Sequence, residues 1–232
     1  MLLNEPAVDF IASLPTPTLF VCGLSDRTYA EQMKAAGLGL AFVSLHSNDA
    51  TTSDDQITMF PGGWARTTVG IDNAVAVGLR VQVNHVVHRA NVGQTEAFFR
   101  FAQARWGRKV ELSLAFVAPT GSAAADVRKF VPPLPEVVPS VVSALAYAQS
   151  HRLPVVLQSF CGFPPCLLGE HAALSETSRL DTVDYPADRI QLDACKSCAF
   201  QKGCPGLWKP YYETYGDPGL TPIAANDARR RK

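Results

Sequence analysis

The sequence predicts an α/β fold built on a parallel sheet and joined to a loop-rich, cysteine-containing C-terminal extension. Three observations lead there. Short β-branched or apolar runs alternate with helical patterns over residues 1–158, the sequence sign of repeated βα units. From Ser159 onward that periodicity is lost. The same aperiodic stretch places Cys195, Cys198 and Cys204 in a C-x2-C-x5-C spacing, with Cys166 upstream. The expected division is a scaffold over 1–158, a cysteine-rich extension over 159–223 and a disordered basic tail over 224–232.

Each element has its own local warrant. Thr18–Cys22 reads as the first strand, after which Ser25 and Asp26 offer caps to a helix that puts Tyr29, Ala30 and Met33 on one face and closes at Gly37. The second strand, Gly39–Leu45, runs into a polar loop over His46–Asp55. A helix near Ala65–Val77 gathers Ile71, Ala74 and Val75 and stops at Gly78. The third strand, Leu79–Val87, ends in the polar cluster His88, Arg89 and Asn91. Phe98, Phe101 and Ala102 mark the next helix, and Lys109–Val117 the fourth strand before the turn Pro119–Gly121. A proline-rich linker, Val131–Pro135, leads into a helix carrying Val138, Val141, Val142 and Leu145, and Pro154–Leu157 is the fifth strand.

In parallel βα folds the ligand site forms at the carboxyl ends of the strands, where loops vary while the sheet holds them in place. Four such ends are polar: Ser44 with His46 and Ser47, Asn84 with His88 and Arg89, Ser113 with Thr120, and Gln158 with Ser159. Alternation along the third strand sends Asn84, Val86 and His88 to one face and Val83, His85 and Val87 to the other. His88 therefore shares the pocket face with Asn84, and His85 is expected to lie against a helix. Asp54 with Asp55, and Asp181 with Asp184, are carboxylate pairs in polar stretches and read as solvated surface. Pro61–Gly63 lacks the Gly-Lys-Ser/Thr ending of a nucleotide loop, and no nucleophile elbow is present.

Composition narrows the partners. With 47% hydrophobic and 18% charged residues and a formal net charge of zero, the chain has a globular composition and no global drive toward nucleic acid or an anionic membrane. The first residues lack the basic region of a secretion signal, and no apolar run suggests a membrane span, so a cytoplasmic location is expected. In a reducing compartment the six cysteines read as ligands or core residues rather than disulfides. Four thiolates suit either tetrahedral zinc or a [4Fe–4S] cube, and spacing alone does not separate the two. Cys161 lies on the same Pro/Gly loop as Cys166 and competes with it as the fourth ligand, whereas Cys22, ending an apolar strand, reads as a small buried hydrophobe.

Taken in order, Ala36–Leu38, Val43–Asp49, Pro61–Trp64, Gly78–Val87, Phe116–Gly121, Cys204–Trp208 and Tyr215–Asp217 resemble radical S-adenosylmethionine (SAM) enzymes that carry a SPASM/twitch-like auxiliary iron–sulfur extension. The resemblance spans about Thr18 to Ile223. It implies a partial (βα) TIM-like barrel of parallel strands, with Ser44 and Asn84 lining the pocket for S-adenosylmethionine and His88 a third cofactor-binding candidate on the same face. It also implies that Cys166, Cys195, Cys198 and Cys204 hold an auxiliary [4Fe–4S] cluster. The activity so implied is hydrogen abstraction from a peptide or small substrate by a 5′-deoxyadenosyl radical.

Two features of the family are missing. No C-x3-C-x2-C loop follows the first strand, and the glycine-rich segment expected after the second strand is absent. The chain alone is therefore not expected to generate the radical. A truncated product, a half of a split enzyme and a remnant using only the pocket each fit that departure. The unpaired edge at Thr18–Cys22 is expected to pair with a partner chain supplying the missing strands, or with a second copy in a homodimer. A reading from another class is a non-catalytic, zinc-stapled α/β module that binds a partner protein.

Overall fold

Five parallel strands pair in chain order: β1 (Thr18–Phe20), β2 (Leu40–Ser44), β3 (Arg80–Val87), β4 (Val110–Phe116) and β5 (Val155–Leu157). The computed structural model describes residues 18–20, 24–158, 162–179 and 187–224. Cys22, Ser159, Cys161, Asp181, Asp184 and the basic tail from residue 225 lie outside the described residues. Among the described residues the sheet is open, with β1 and β5 at its edges, and a single parallel bridge from Leu157 to Ser175 continues the order past β5.

A parallel neighbour is reached only by a crossover, and each crossover here carries helix. These are α1 (Arg27–Ala35), α2 (Gly63–Ala76), α3 (Thr95–Trp106), the one-turn α4 (Ser122–Ala125) and α5 (Val127–Phe130), and the long α6 (Leu134–Ser150). Right-handed crossovers that all step in one direction put their helices on one face of the sheet. Accordingly α1 packs on α2, and α3 packs on α6. His85 stacks on Phe98 of α3 with ring centroids 4.3 Å apart, which fixes the helix-covered face of β3 as the one holding Val83, His85 and Val87.

Local chemistry sets the element ends. Asp26 accepts from the Thr28 amide at 2.8 Å and caps α1, and Gly37 leaves it with φ +93°. The polar segment after β2 is not a plain loop but a π-helix, Thr51–Thr58. Asp49 starts it by accepting from the Thr52 amide at 2.7 Å and from the Ser47 hydroxyl at 2.9 Å. Asp54, expected in solvent, is buried at 6% exposure and accepts from the Trp64 amide at 2.7 Å, so it supplies the cap that Gly62 lacks; Asp55 is exposed as expected.

The buried stripe of α6 is Leu134, Val137, Val141, Ala144, Leu145 and Ala148, with Val138 and Val142 on its flank. The doublets Val137–Val138 and Val141–Val142 are apolar at both positions, so packing alone selects which member faces inward. By length and composition Val127–Ser150 is apolar enough to cross a membrane, contrary to the reading of the sequence. Here the stretch is interrupted at residues 131–133, and its apolar stripe joins the sheet's core.

The extension is a chain of short 3-10 turns with a two-residue antiparallel pair, β6 (Arg189–Ile190) and β7 (Leu207–Trp208), followed by α7 (Lys209–Tyr215). Phe163, Leu168, Leu207, Tyr211 and Leu220 belong to the same core as the sheet. Phe116, at the carboxyl end of β4, meets Phe163 and Tyr211 at centroid distances of 5.5 and 6.0 Å. The Tyr211 hydroxyl accepts from the Leu134 amide at 2.8 Å, and Arg89 donates to the Val131 carbonyl and the Tyr215 hydroxyl at 3.1 and 3.2 Å. These bonds seat α7 against the loops after β3 and β4. Tyr211→Phe leaves the buried Leu134 amide without its acceptor and is expected to cost about 1–3 kcal/mol in urea unfolding.

Candidate metal centre

Cysteines 166, 195, 198 and 204 all line one pocket, together with Pro164, Pro165, Gln191, Phe200, Gly206, Leu220 and Ile223. All four are free and partly buried. Their positions follow from turns that the sequence dictates. Pro164 and Pro165 open the 3-10 turn that holds Cys166, because proline suits the first positions of a helical turn. The turn Asp193–Ser197 carries Cys195, whose amide donates to the Leu192 carbonyl at 2.9 Å, and the Cys198 amide donates back to the Cys195 carbonyl at 3.0 Å. Cys204 follows the turn Gln201–Gly203.

Two residues that the sequence reading passed over hold this loop in place. Gln191 donates from one amide group to the carbonyls of Gln201 and Cys204, each at 2.7 Å. Gly206 has φ +73°, and a Cβ there would stand 2.2 Å from the Ile190 carbonyl oxygen, so only glycine lets the chain cross β6 this closely. Its amide donates to the Cys204 sulfur at 3.4 Å. The signal for both was present as Cys204-Pro-Gly and a glutamine after β6, but neither residue type announces a staple without the tertiary contact.

The thiols sense one another. Burial pushes Cys166 up to about 12, with the charges of Cys204, Cys198 and Cys195 adding to the shift. Burial likewise pushes Cys204 up to about 11, while the Gly206 amide and Arg189 pull the other way. Cys195 is raised by burial first, with Cys198 and Asp217 adding. Without a cation, then, Cys166, Cys195 and Cys204 hold their protons at neutral pH. Among the described residues no group of three or more His, Cys, Asp or Glu is arranged so that it could hold a metal ion.

The other predicted residues lie on the sheet. Register places Ser44 beside Asn84 and Asn84 beside Ser113, so the three form one row on the face away from α3. Ser44 is exposed, whereas the Asn84 Oδ1 and Ser113 Oγ atoms are buried and accept or donate no hydrogen bond. Next along, Gln82 donates to Glu111 at 2.9 Å. His88 is drawn into the backbone: its Nδ1 accepts from the Ala90 amide at 3.1 Å, and its own amide donates to Asn91 at 2.7 Å. Asn91, fully buried, also donates to the carbonyls of His46 and Val86 at 2.6 and 2.9 Å. Burial, with His88 adding, holds His46 down to about 4, and burial, with His46 adding, holds His85 down to about 3. Burial and then Arg89 lower His88 as well. The three rings are therefore neutral at pH 7.

Compared with known proteins, the chain matches no protein-family model, no curated protein and no solved structure. The thiol shifts set a pH dependence for the metal-free protein. Unfolded thiols ionise near 9.0, while folded Cys166 and Cys204 keep their protons to about 12 and 11. The folded chain then binds more protons than the unfolded one above pH 9, so metal-free stability is expected to fall as pH rises from 9 toward 12. Urea midpoints measured across that range, with Cys166→Ser and Cys204→Ser as controls of shallower slope, check this.

Proposed function

We propose that this chain is part of a radical S-adenosylmethionine enzyme in which Cys166, Cys195, Cys198 and Cys204 hold an auxiliary [4Fe–4S] cluster. The observation that carries the reading is the convergence of these four cysteines, from separate turns, on one pocket. Soft thiolates select zinc or iron–sulfur over hard cations. A cube puts a separate iron under each thiolate and so keeps its ligands further apart than one ion does. Four thiolates leave no iron open, so the cluster would supply electron transfer or a structural staple rather than a substrate ligand.

The sheet supports the same reading. Parallel strands in chain order, with helices on one face, are what a partial (βα) barrel has, and the bridge at Ser175 carries the sheet one position further. The row Ser44, Asn84 and Ser113 then lies on the inner face, where the unpartnered Asn84 and Ser113 oxygens are available to S-adenosylmethionine or substrate. His88 contributes by fixing the loop after β3 through its cap. Radical generation needs a C-x3-C-x2-C segment, which these 232 residues do not contain. The β1 edge is the pairing surface for a partner chain or for a second copy, and the substrate is a peptide or small molecule.

Anaerobic reconstitution with iron and sulfide tests the centre. The expected product is brown and carries about four irons per chain, with loss of iron in Cys198→Ala because ligand loss and loop folding are coupled. A colourless protein with one zinc would instead make the chain a zinc-stapled binding module. For the pocket, Asn84→Leu is expected to weaken S-adenosylmethionine binding by about tenfold in calorimetry, the worth of one buried hydrogen bond.

A further inference from the structure

Among the described charged side chains around the four cysteines, Arg189 is the buried one, at 5% exposure. The β6–β7 pair fixes it: Arg189 stands opposite Trp208 in the ladder, and its guanidinium carbon lies 3.3 Å above the Trp208 ring. Its Nη1 reaches the Gly206 carbonyl at 3.5 Å, and the Gly206 amide in turn donates to the Cys204 sulfur at 3.4 Å. A cation is thus tied, through one glycine, to one of the four sulfurs.

Four thiolates carry more negative charge than either a zinc ion or a cube core neutralises, so the loaded centre is anionic and sits in a partly buried pocket. An anion there is costly unless a fixed cation faces it. Arginine suits the position better than lysine, because its planar, permanently charged group stacks on the indole while still presenting charge at its edge.

We propose that Arg189, held flat over Trp208, is the counter-charge of the four-cysteine centre, stabilising its metal-loaded form and raising the reduction potential of a cluster bound there. The proposal rests on the reading of the four cysteines as one centre. Reduction adds one electron from a low-potential donor such as dithionite to the cluster irons and breaks no bond. The added negative charge is what Arg189 favours.

The test compares the reconstituted chain with Arg189→Gln and Arg189→Lys. Redox titration with dithionite, followed by electron paramagnetic resonance, reads the potential. Co(II) titration of the metal-free chain, followed by the thiolate-to-cobalt charge-transfer band, reads the affinity of the thiol set without iron. Arg189→Gln is expected to shift the reduction equilibrium about tenfold toward the oxidised form, equivalent to about 59 mV, and to weaken Co(II) binding by a similar factor. Arg189→Lys, which keeps the charge, is expected to recover most of both. Arg189→Met, which keeps the packing of the stem, takes the place of the glutamine variant if circular dichroism shows that the latter is unfolded. A normally loaded chain whose potential and Co(II) affinity survive loss of the charge overturns this proposal alone, as does a lysine variant that loses as much as the neutral ones. A chain that takes up neither iron nor Co(II) overturns it together with the reading beneath it.

Discussion

A parallel strand is reached only by a crossover, and every crossover in this chain steps one place in the same direction. That single constraint arranges the molecule. It sends the helices to one face, where His85 meets Phe98, and frees the other face for the row Ser44, Asn84 and Ser113. It also brings the carboxyl ends of the strands to one rim. There Phe116 at the end of β4 becomes the surface on which Phe163 and Tyr211 of the extension pack. The sheet and the cysteine loops therefore share a core rather than standing as two.

Buried polar groups divide into two kinds. Around the loops after β2 and β3 they are satisfied locally: Asn91 serves His46, Val86 and His88, and Asp49 and Asp54 serve the π-helix and the start of α2. Such groups are held by the backbone they cap, and the histidines among them stay neutral. On the face of the sheet away from α3 the Asn84 and Ser113 oxygens are buried with no bond. A buried polar atom without a partner costs free energy, and a fold keeps one most readily where a ligand completes it.

Among the described residues of the extension, regular structure is almost absent and short-range devices replace it. Gln191 ties two carbonyls of the cysteine loop, Gly206 permits a crossing that no side chain would allow, and Arg189 on Trp208 closes the small hairpin. Each device acts on the segment bearing Cys204, which suggests why a loop of 3-10 turns can present thiols in a defined pocket at all. Burial keeps the Cys166 and Cys204 thiols protonated at neutral pH.

The chain's residues by themselves determined the elements and their order. Asp26 and Gly37 bracket α1, Gly78 ends α2, and alternation along β3 separates Asn84 from His85, all through contacts within a few residues. The cysteine spacing likewise picked out the thiols that the pocket collects. Tertiary structure decided whatever depends on residues distant along the chain. It chose Val137 over Val138 as the inward member of an apolar doublet, and it turned Asp54 from a surface acid into a cap for Trp64. It also laid Arg189 over Trp208 and next to Gly206. Periodicity and caps are local properties of a polymer, whereas burial and charge pairing exist only once the chain has folded back on itself.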